Sequence, residues 1–210
     1  MKCYAYVVAR DFGFAPNPFY GRCTLATCKP GIRNSASIGD WVIGCGSAAH
    51  QASGFLVYIM QVNEKLHFND YWKSKEFQCK RPVMNGSLKQ MYGDNVYHFA
   101  RSEKRWVQAD SHHSNEDGSE SEYNKRRDLS SEYVLVSSRF WYFGGSPLKL
   151  PKHFRNGEWC ICCTGRGHRI IRDEDLIGEF ISWVETRAKP GYHADPLQLT
   201  TFKRYRGDRN

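Results

Sequence analysis

The chain has 210 residues, of which 40% are hydrophobic, 14% aromatic and 25% charged, a balance that excludes a disordered segment and a fibrous repeat alike. Its longest uncharged apolar run, residues 54–62, is far shorter than a bilayer span, so no membrane partner is expected. Thirty Lys and Arg against 22 Asp and Glu give a formal charge of +8, which suits an anionic partner.

A chain of this length can bury a self-sufficient core. The first residues, Met-Lys-Cys-Tyr-Ala-Tyr-Val-Val-Ala-Arg-Asp, contain no apolar stretch of signal length. Most of the eight cysteines (Cys3, Cys23, Cys28, Cys45, Cys160, Cys162, Cys163) lie in apolar, strand-like runs. A reduced, cytoplasmic protein is therefore expected, not a disulfide scaffold.

Taken in order, residues 2–8 alternate Tyr4, Tyr6 and Val8 with Cys3, Ala5 and Val7, the pattern of a strand. Residues 12–21 hold two prolines, two glycines and four aromatic rings, a loop that either closes over a core or lines a site. Residues 23–28 predict a short strand and Lys29-Pro-Gly31 a turn. Gly39-Asp40 then delivers the chain into a buried strand, Trp41-Val-Ile-Gly-Cys-Gly46. Residues 54–62 are the clearest strand, and 63–77 predict a loop and a short helix capped by Asn69. The long irregular stretch 79–97 carries enough apolar residues to be ordered and reads as a site-forming loop.

Residues 114–132 are almost free of apolar side chains and predict an exposed polar loop without chemistry. Strands follow at 133–136, 140–143 and 158–163. Asp173 then caps a helix with one apolar stripe, Leu176, Ile177, Phe180, Ile181 and Val184, ended by Pro190-Gly191. Strands grouped ahead of a late helix predict a mainly antiparallel α+β domain over residues 1–198, with 199–210 as a basic flexible tail.

Four constellations could carry chemistry. Asp110-Ser-His-His-Ser114 suits hydrogen bonding, acid–base work or metal ligation, although in a strand His112 and His113 would point to opposite faces. Cys160-Ile-Cys-Cys163 with His168 lacks the second ligand pair of a zinc site and reads as buried thiols. Any of the eight cysteines could meet a histidine in space, but no local pattern selects one as catalytic. Thr164-Gly-Arg-Gly-His168 lets Arg166 and flanking amides grip an anion, or is a plain turn. Asn85-Gly-Ser-Leu-Lys89 and Gly93-Asp-Asn95 supply groups that read base edges, while Phe14, Phe19, Trp41 and Tyr97 could stack a planar ligand.

The order of motifs resembles the second family of nucleotide modification associated domains. The resemblance rests on Asp11-Phe-Gly-Phe-Ala-Pro-Asn-Pro-Phe19, Cys23-Thr-Leu-Ala-Thr-Cys-Lys-Pro30, Gly39-Asp-Trp41, Asn85-Gly-Ser-Leu-Lys89, Gly93-Asp-Asn95, Asp110-Ser-His-His-Ser114, Tyr142-Phe-Gly144 and Gly165-Arg-Gly-His168. It implies a setting of DNA base modification and conflict with phages. Residues 32–46, 54–62 and 68–77 are also similar to the PUA-like superfamily, including its EVE, ASCH and YTH types. That similarity implies a partly open, mainly antiparallel β-barrel with flanking helices that often holds a flipped or modified base.

The leading expectation is recognition of a nucleotide or modified base, with DNA favoured as partner. Phe14 and Phe19 would wall the pocket, Arg33 and Arg166 would meet phosphate, and Asn85, Lys89, Asp94, Asn95, Asp110 and His112 would read polar edges. Asn17, Ser87 and Tyr97 join them as binding residues. The alternative is an enzyme acting on the same ligand with Asp110, His112, His113 and His168 as acid and base. A further alternative is a module that binds partner proteins of a modification system. No cofactor and no metal is called for.

Overall fold

The computed structural model describes residues 1–156, 160–163 and 165–207. In chain order the elements are β1 (Cys3–Val8), β2 (Cys23–Leu25), α1 (Pro30–Ser35), β3 (Trp41–Gly46), β4 (Phe55–Gln61), β5 (Glu64–His67), α2 (Phe68–Lys73), α3 (Leu88–Met91), β6 (Tyr97–Ala100), β7 (Arg105–Gln108), α4 (Glu122–Asp128), β8 (Tyr133–Ser137), β9 (Phe140–Tyr142), β10 (Leu148–Lys149), β11 (Arg169–Ile171), α5 (Glu174–Arg187) and β12 (Gly191–Tyr192).

The period-2 alternation of β1 and β3 has a direct structural cause, because both faces of these strands are covered. Cys3, Ala5, Trp41, Ile43 and Cys45 face one way and pack under α5, against Leu176, Ile177, Phe180 and Val184. Tyr4, Tyr6, Val8 and Val42 face the other way, onto Cys23 and Leu25 of β2 and Leu135 of β8. The main sheet runs β11-β1-β3-β4-β9-β12 with β10 added to β4, and a second sheet runs β2-β8-β5. A third apolar cluster joins Phe12 and Phe14 to Phe68, Tyr71, Tyr92, Tyr97 and Val134. The hairpin of β6 and β7 closes that end.

All strand pairings are antiparallel except β1–β3 and β9–β12. The architecture is thus α+β. The main sheet stays open between its edges β11 and β12, and no closed barrel forms among the described residues. Gly44 sits at the register shift between β3 and β4. A Cβ there would lie 2.3 Å from the Tyr58 ring, so the bulge depends on the missing side chain.

Asp173 caps α5 as expected, its carboxylate accepting the Leu176 N–H at 3.0 Å, and the five apolar stripe residues are buried. Other expectations need correction. Asn69 does not cap α2; its Oδ1 accepts the Phe99 N–H at 2.8 Å and ties the helix to β6. Of the strand expected at 158–163, residues 157–159 lie outside the described residues. Residues 160–163 form no strand, and Ile161, Cys162 and Cys163 are buried in the α5 core. Residues 114–132 do carry exposed polar side chains, but they also contain α4, whose Asn124 and Asp128 are fully buried. The last described residues pack onto the domain: Phe202 meets the Tyr92 ring at 5.3 Å, and the Tyr205 N–H donates to the His112 carbonyl at 2.7 Å.

The aromatic loop 12–21 is pinned by a buried cation. Lys80 Nζ donates to Asn17 O (3.0 Å), Asn17 Oδ1 (2.7 Å) and Arg22 O (3.0 Å). Replacing Lys80 with Met would keep the volume but leave these acceptors unpaired. Thermal or urea unfolding should then show a loss of about 2–4 kcal/mol.

Candidate functional site

The site starts where β2 turns into α1. Cys28 and Lys29 are both left-handed, with φ of 56° and 39°, immediately ahead of Pro30. Two successive side-chain-bearing residues in that region cost free energy that the surroundings must offset. Arg33 does so from inside α1. Its buried guanidinium donates to Cys28 O (2.9 Å), Asp128 O (2.6 Å), Tyr133 O (2.6 Å) and Ser131 O (3.4 Å). Asp128 Oδ1 in turn accepts the Cys28 N–H at 2.9 Å. The strained turn therefore holds the Cys28 thiol in one place.

A second segment meets it there. The chain leaving β7 brings in His113, whose Nε2 lies 3.8 Å from Cys28 Sγ. His113 Nδ1 donates to Asp128 Oδ2 at 2.6 Å, and the Tyr97 hydroxyl donates to the same oxygen at 2.9 Å. Thiol, imidazole and carboxylate thus form one hydrogen-bonded line, the arrangement that activates a cysteine nucleophile. Arg127 Nη2 stands 3.7 Å from the sulfur.

Electrostatics sharpen the roles. Burial opposes a charge on Cys28, yet His113 and Arg127 outweigh it and hold the thiol below its ordinary value. Burial likewise opposes charge on His113, but Asp128 and Cys28 raise it to about 9. Asp128 is held well below the carboxylate range, against its burial, by His113, Arg127 and Arg33. The pair thus favours the charged imidazolium on His113 and eases ionisation of the thiol it faces. His112 takes the opposite state: burial and the charge on His113 push it down to about 3. Its Nδ1 bonds the Lys203 carbonyl, which leaves Nε2 of the neutral ring as an acceptor.

These groups open into a cavity of about 290 Å³, a volume at the small end of ligand pockets that suits a base or nucleoside. Its walls include Tyr6, Phe12, Phe14 and Tyr205, with Arg10, Lys29 and Arg127 as its cations. The Phe14 ring lies 4.6 Å from His113 and 5.0 Å from His112 between centroids. Arg10 and Arg127 both lie over the Tyr205 ring, at 4.7 and 5.1 Å.

Cys28, His113 and Asp128 have ligand atoms within 4.8 Å of one another, compact enough for a metal ion. The donor set argues otherwise. Both Asp128 oxygens already accept hydrogen bonds from the Cys28 N–H, His113 and Tyr97, and the Arg127 guanidinium beside the sulfur opposes a second cation.

The structure brings together only part of the set read from sequence. Phe14, His112 and His113 line the cavity. Tyr97 and Arg33 lie behind it, and both act on Asp128. Arg33 is fully buried with its donors on carbonyls, so it cannot meet phosphate. Asn17, Asp94 and Asn95 are buried in the loop's own network: Asp94 accepts from Thr24 (2.6 Å) and Tyr71 (2.7 Å), and Asn95 donates to Tyr71 O and Phe77 O (3.1 Å each). Asn85 is exposed, and Ser87 forms a capping box with Gln90 on α3. Phe19 and Lys89 line a separate hollow with Tyr192, where Lys89 pairs with Asp195 at 3.0 Å. Asp110 pairs with Arg204. His168 is exposed beside Tyr4, and Arg166 borders a neighbouring groove.

Cys28 and Asp128 escaped the sequence reading. The signal for Cys28 was the Cys-Lys-Pro-Gly turn after a strand; for Asp128 there was none, because it closes a charged helix in a segment that looked solvated.

The ion pair predicts a pH profile. Iodoacetamide alkylation of wild-type Cys28, followed by peptide mass spectrometry, should level off below the ordinary thiol range. In His113→Ala the rate should instead climb about tenfold per pH unit toward the ordinary thiol range. Stability should follow the same groups. The raised His113 stabilises the fold fully below the ordinary imidazole range and loses that contribution as pH climbs to about 9. The depressed Asp128 stabilises it above the ordinary carboxylate range and loses that contribution on acidification.

No curated protein and no solved structure matches the chain. The model of nucleotide modification associated domain 2 matches residues 1–203, from β1 through the segment that closes over His112. The chain belongs to the nucleotide modification associated domain 2 family.

Proposed function

We propose that this protein is an enzyme of a nucleotide modification system that attacks an electrophilic carbon of a nucleotide or modified base with the Cys28 thiolate, bases of DNA being the favoured source. The observation that carries this reading is the line Cys28–His113–Asp128 opening into an aromatic-walled cavity. Cys28 supplies the electron pair of the new C–S bond, and the C=C or C=N π bond of the attacked base opens to leave its pair on the far atom. The His113 Nε2–H faces the sulfur and can pass its proton to the atom on which charge builds. Asp128 holds the imidazole through Nδ1, and Tyr97 and Arg33 hold Asp128.

Recognition without chemistry would use the same aromatic walls but would have no use for a thiol whose ionisation is eased. Extracting a base from a duplex costs a few kcal/mol, and stacking against Phe14 or Tyr205 at about 1–3 kcal/mol per base would offset that. A PUA-like ancestry for β3, β4 and α2 belongs to the same proposal; its support is the entry through Gly39-Asp40 into a buried strand.

The test is to incubate the protein with free nucleotides and with single-stranded and double-stranded DNA. The Cys28 peptide and the nucleotide pool are then followed by mass spectrometry. A nucleotide adduct on Cys28, or a chemically altered nucleotide that disappears with Cys28→Ala, supports the enzyme. Tight binding of a nucleotide with neither result would return the protein to a recognition role.

A further inference from the structure

A second groove, of about 430 Å³, adjoins the nucleophile cavity and shares Val7, Ala9 and Lys29 with it. It is lined further by Arg166 between Gly165 and Gly167, and by Ser47 and Ser53. We propose that this groove is a phosphate subsite, so that the molecule attacked by Cys28 is a nucleoside carrying a phosphate, its base against Phe12 and Phe14 and its phosphate between Lys29 and Arg166. This rests on the nucleotide reading above and goes beyond it in assigning where the charged end of the substrate lies.

Three observations carry the assignment. First, charge in the two hollows is one-sided: Arg10, Lys29, Arg127 and Arg166 line them, and among the described residues neither Asp nor Glu does. Second, Lys29 and Arg166 pair with no carboxylate among the described residues, whereas Arg22, Lys89, Lys125, Arg139 and Arg204 each do. Lys29 Nζ instead rests 4.5 Å from the Tyr6 ring centroid, at the boundary between the hollows. An anion there would meet a lysine point charge on one side and a two-pronged guanidinium on the other.

Third, the backbone is open where a phosphate would approach. A Cβ built on Gly165 or Gly167 meets nothing within 4 Å. Gly46, also in the lining, lets the Ser47 turn fold in, since a Cβ there would lie 2.2 Å from the Ala52 carbonyl oxygen. Ser47 Oγ accepts the Ala49 N–H at 3.2 Å, which fixes the hydroxyl and leaves its proton to donate. Lys29 follows Cys28 directly, and both line the nucleophile cavity, so Lys29 is the cation common to the sulfur's cavity and the groove.

Isothermal titration calorimetry on the full chain tests this with the four 2′-deoxynucleoside 5′-monophosphates, their nucleosides and a single-stranded trinucleotide. At least one monophosphate or the trinucleotide should bind about tenfold or more tighter than the matching nucleoside. Arg166→Ala, an exposed position, and Gly165→Asp, which adds a carboxylate in open space, should each erase that preference while leaving nucleoside affinity unchanged. Loss seen with the monophosphate identifies a free nucleotide as the source; loss seen only with the trinucleotide identifies a phosphodiester of nucleic acid. Equal affinity with and without phosphate, an unchanged preference in both variants, or no binding by any of these ligands would overturn the subsite. Cys28 alkylation at neutral pH is read separately. Fast alkylation with no phosphate preference removes the subsite alone, and a phosphate preference with an unreactive Cys28 removes the nucleophile alone.

Discussion

Cys28→Ser should lower turnover of the nucleotide identified by adduct trapping by about 10⁴-fold or more, with little change in its binding. The exchange keeps the size of the side chain and the left-handed turn held by Arg33 and Asp128. What it removes is the ionisable sulfur: a hydroxyl does not ionise beside His113 as a thiol does, so the attacking electron pair is no longer available. Asp128→Asn should also reduce turnover, because the amide cannot hold His113 charged, and should lower the pH at which His113 loses its proton from about 9 toward its ordinary range. Progress curves and bound fractions measured on the same preparations separate the two effects. Retention of turnover within about tenfold in Cys28→Ser would remove Cys28 as nucleophile.

Arg33→Met should be the most destabilising exchange of a single side chain near the site, at about 3–5 kcal/mol by urea or thermal unfolding. The methionine fills most of the volume, but the carbonyls of Cys28, Asp128, Ser131 and Tyr133 lose their donor in a fully buried position. Burial lowers the Arg33 guanidinium to about 10 even with Asp128 nearby, so its charge is kept by surrounding carbonyls and not by water. Arg33→Lys should recover only part of the loss, since an ammonium cannot reach four carbonyls with a planar fork. If folded protein can be recovered, its Cys28 should also alkylate more slowly, because the turn and Asp128 are both released. A loss under about 1 kcal/mol would show that the clamp is not what holds the turn.

The two histidines show how far residue types can be read without coordinates. Asp110-Ser-His-His-Ser114 stood out by composition; His113 bonds Asp128 and faces Cys28, and His112 lines the same cavity. Asp110, its neighbour in sequence, pairs with Arg204 instead. The carboxylate that serves His113 is Asp128, which closes α4 beyond a run of charged residues. Local patterning sees charge density but cannot see that one of those charges turns inward. Arg33 failed for the related reason that a guanidinium suits phosphate and backbone carbonyls equally, and only its burial separates the two.

Amino-acid order alone determined the α+β character, the strands β1, β3 and β4, the α5 stripe with its Asp173 cap, and the family, because periodicity, capping and motif order are local or collinear signals. Tertiary structure decided that Phe14, Cys28, His112 and His113 share one cavity with Asp128 bonded to His113 behind it, while Phe19, Asn85, Lys89 and His168 do not line it. Convergence of this kind depends on register between distant strands and on one strained turn held from behind by a buried arginine. Neither leaves a trace in the spacing of residues along the chain.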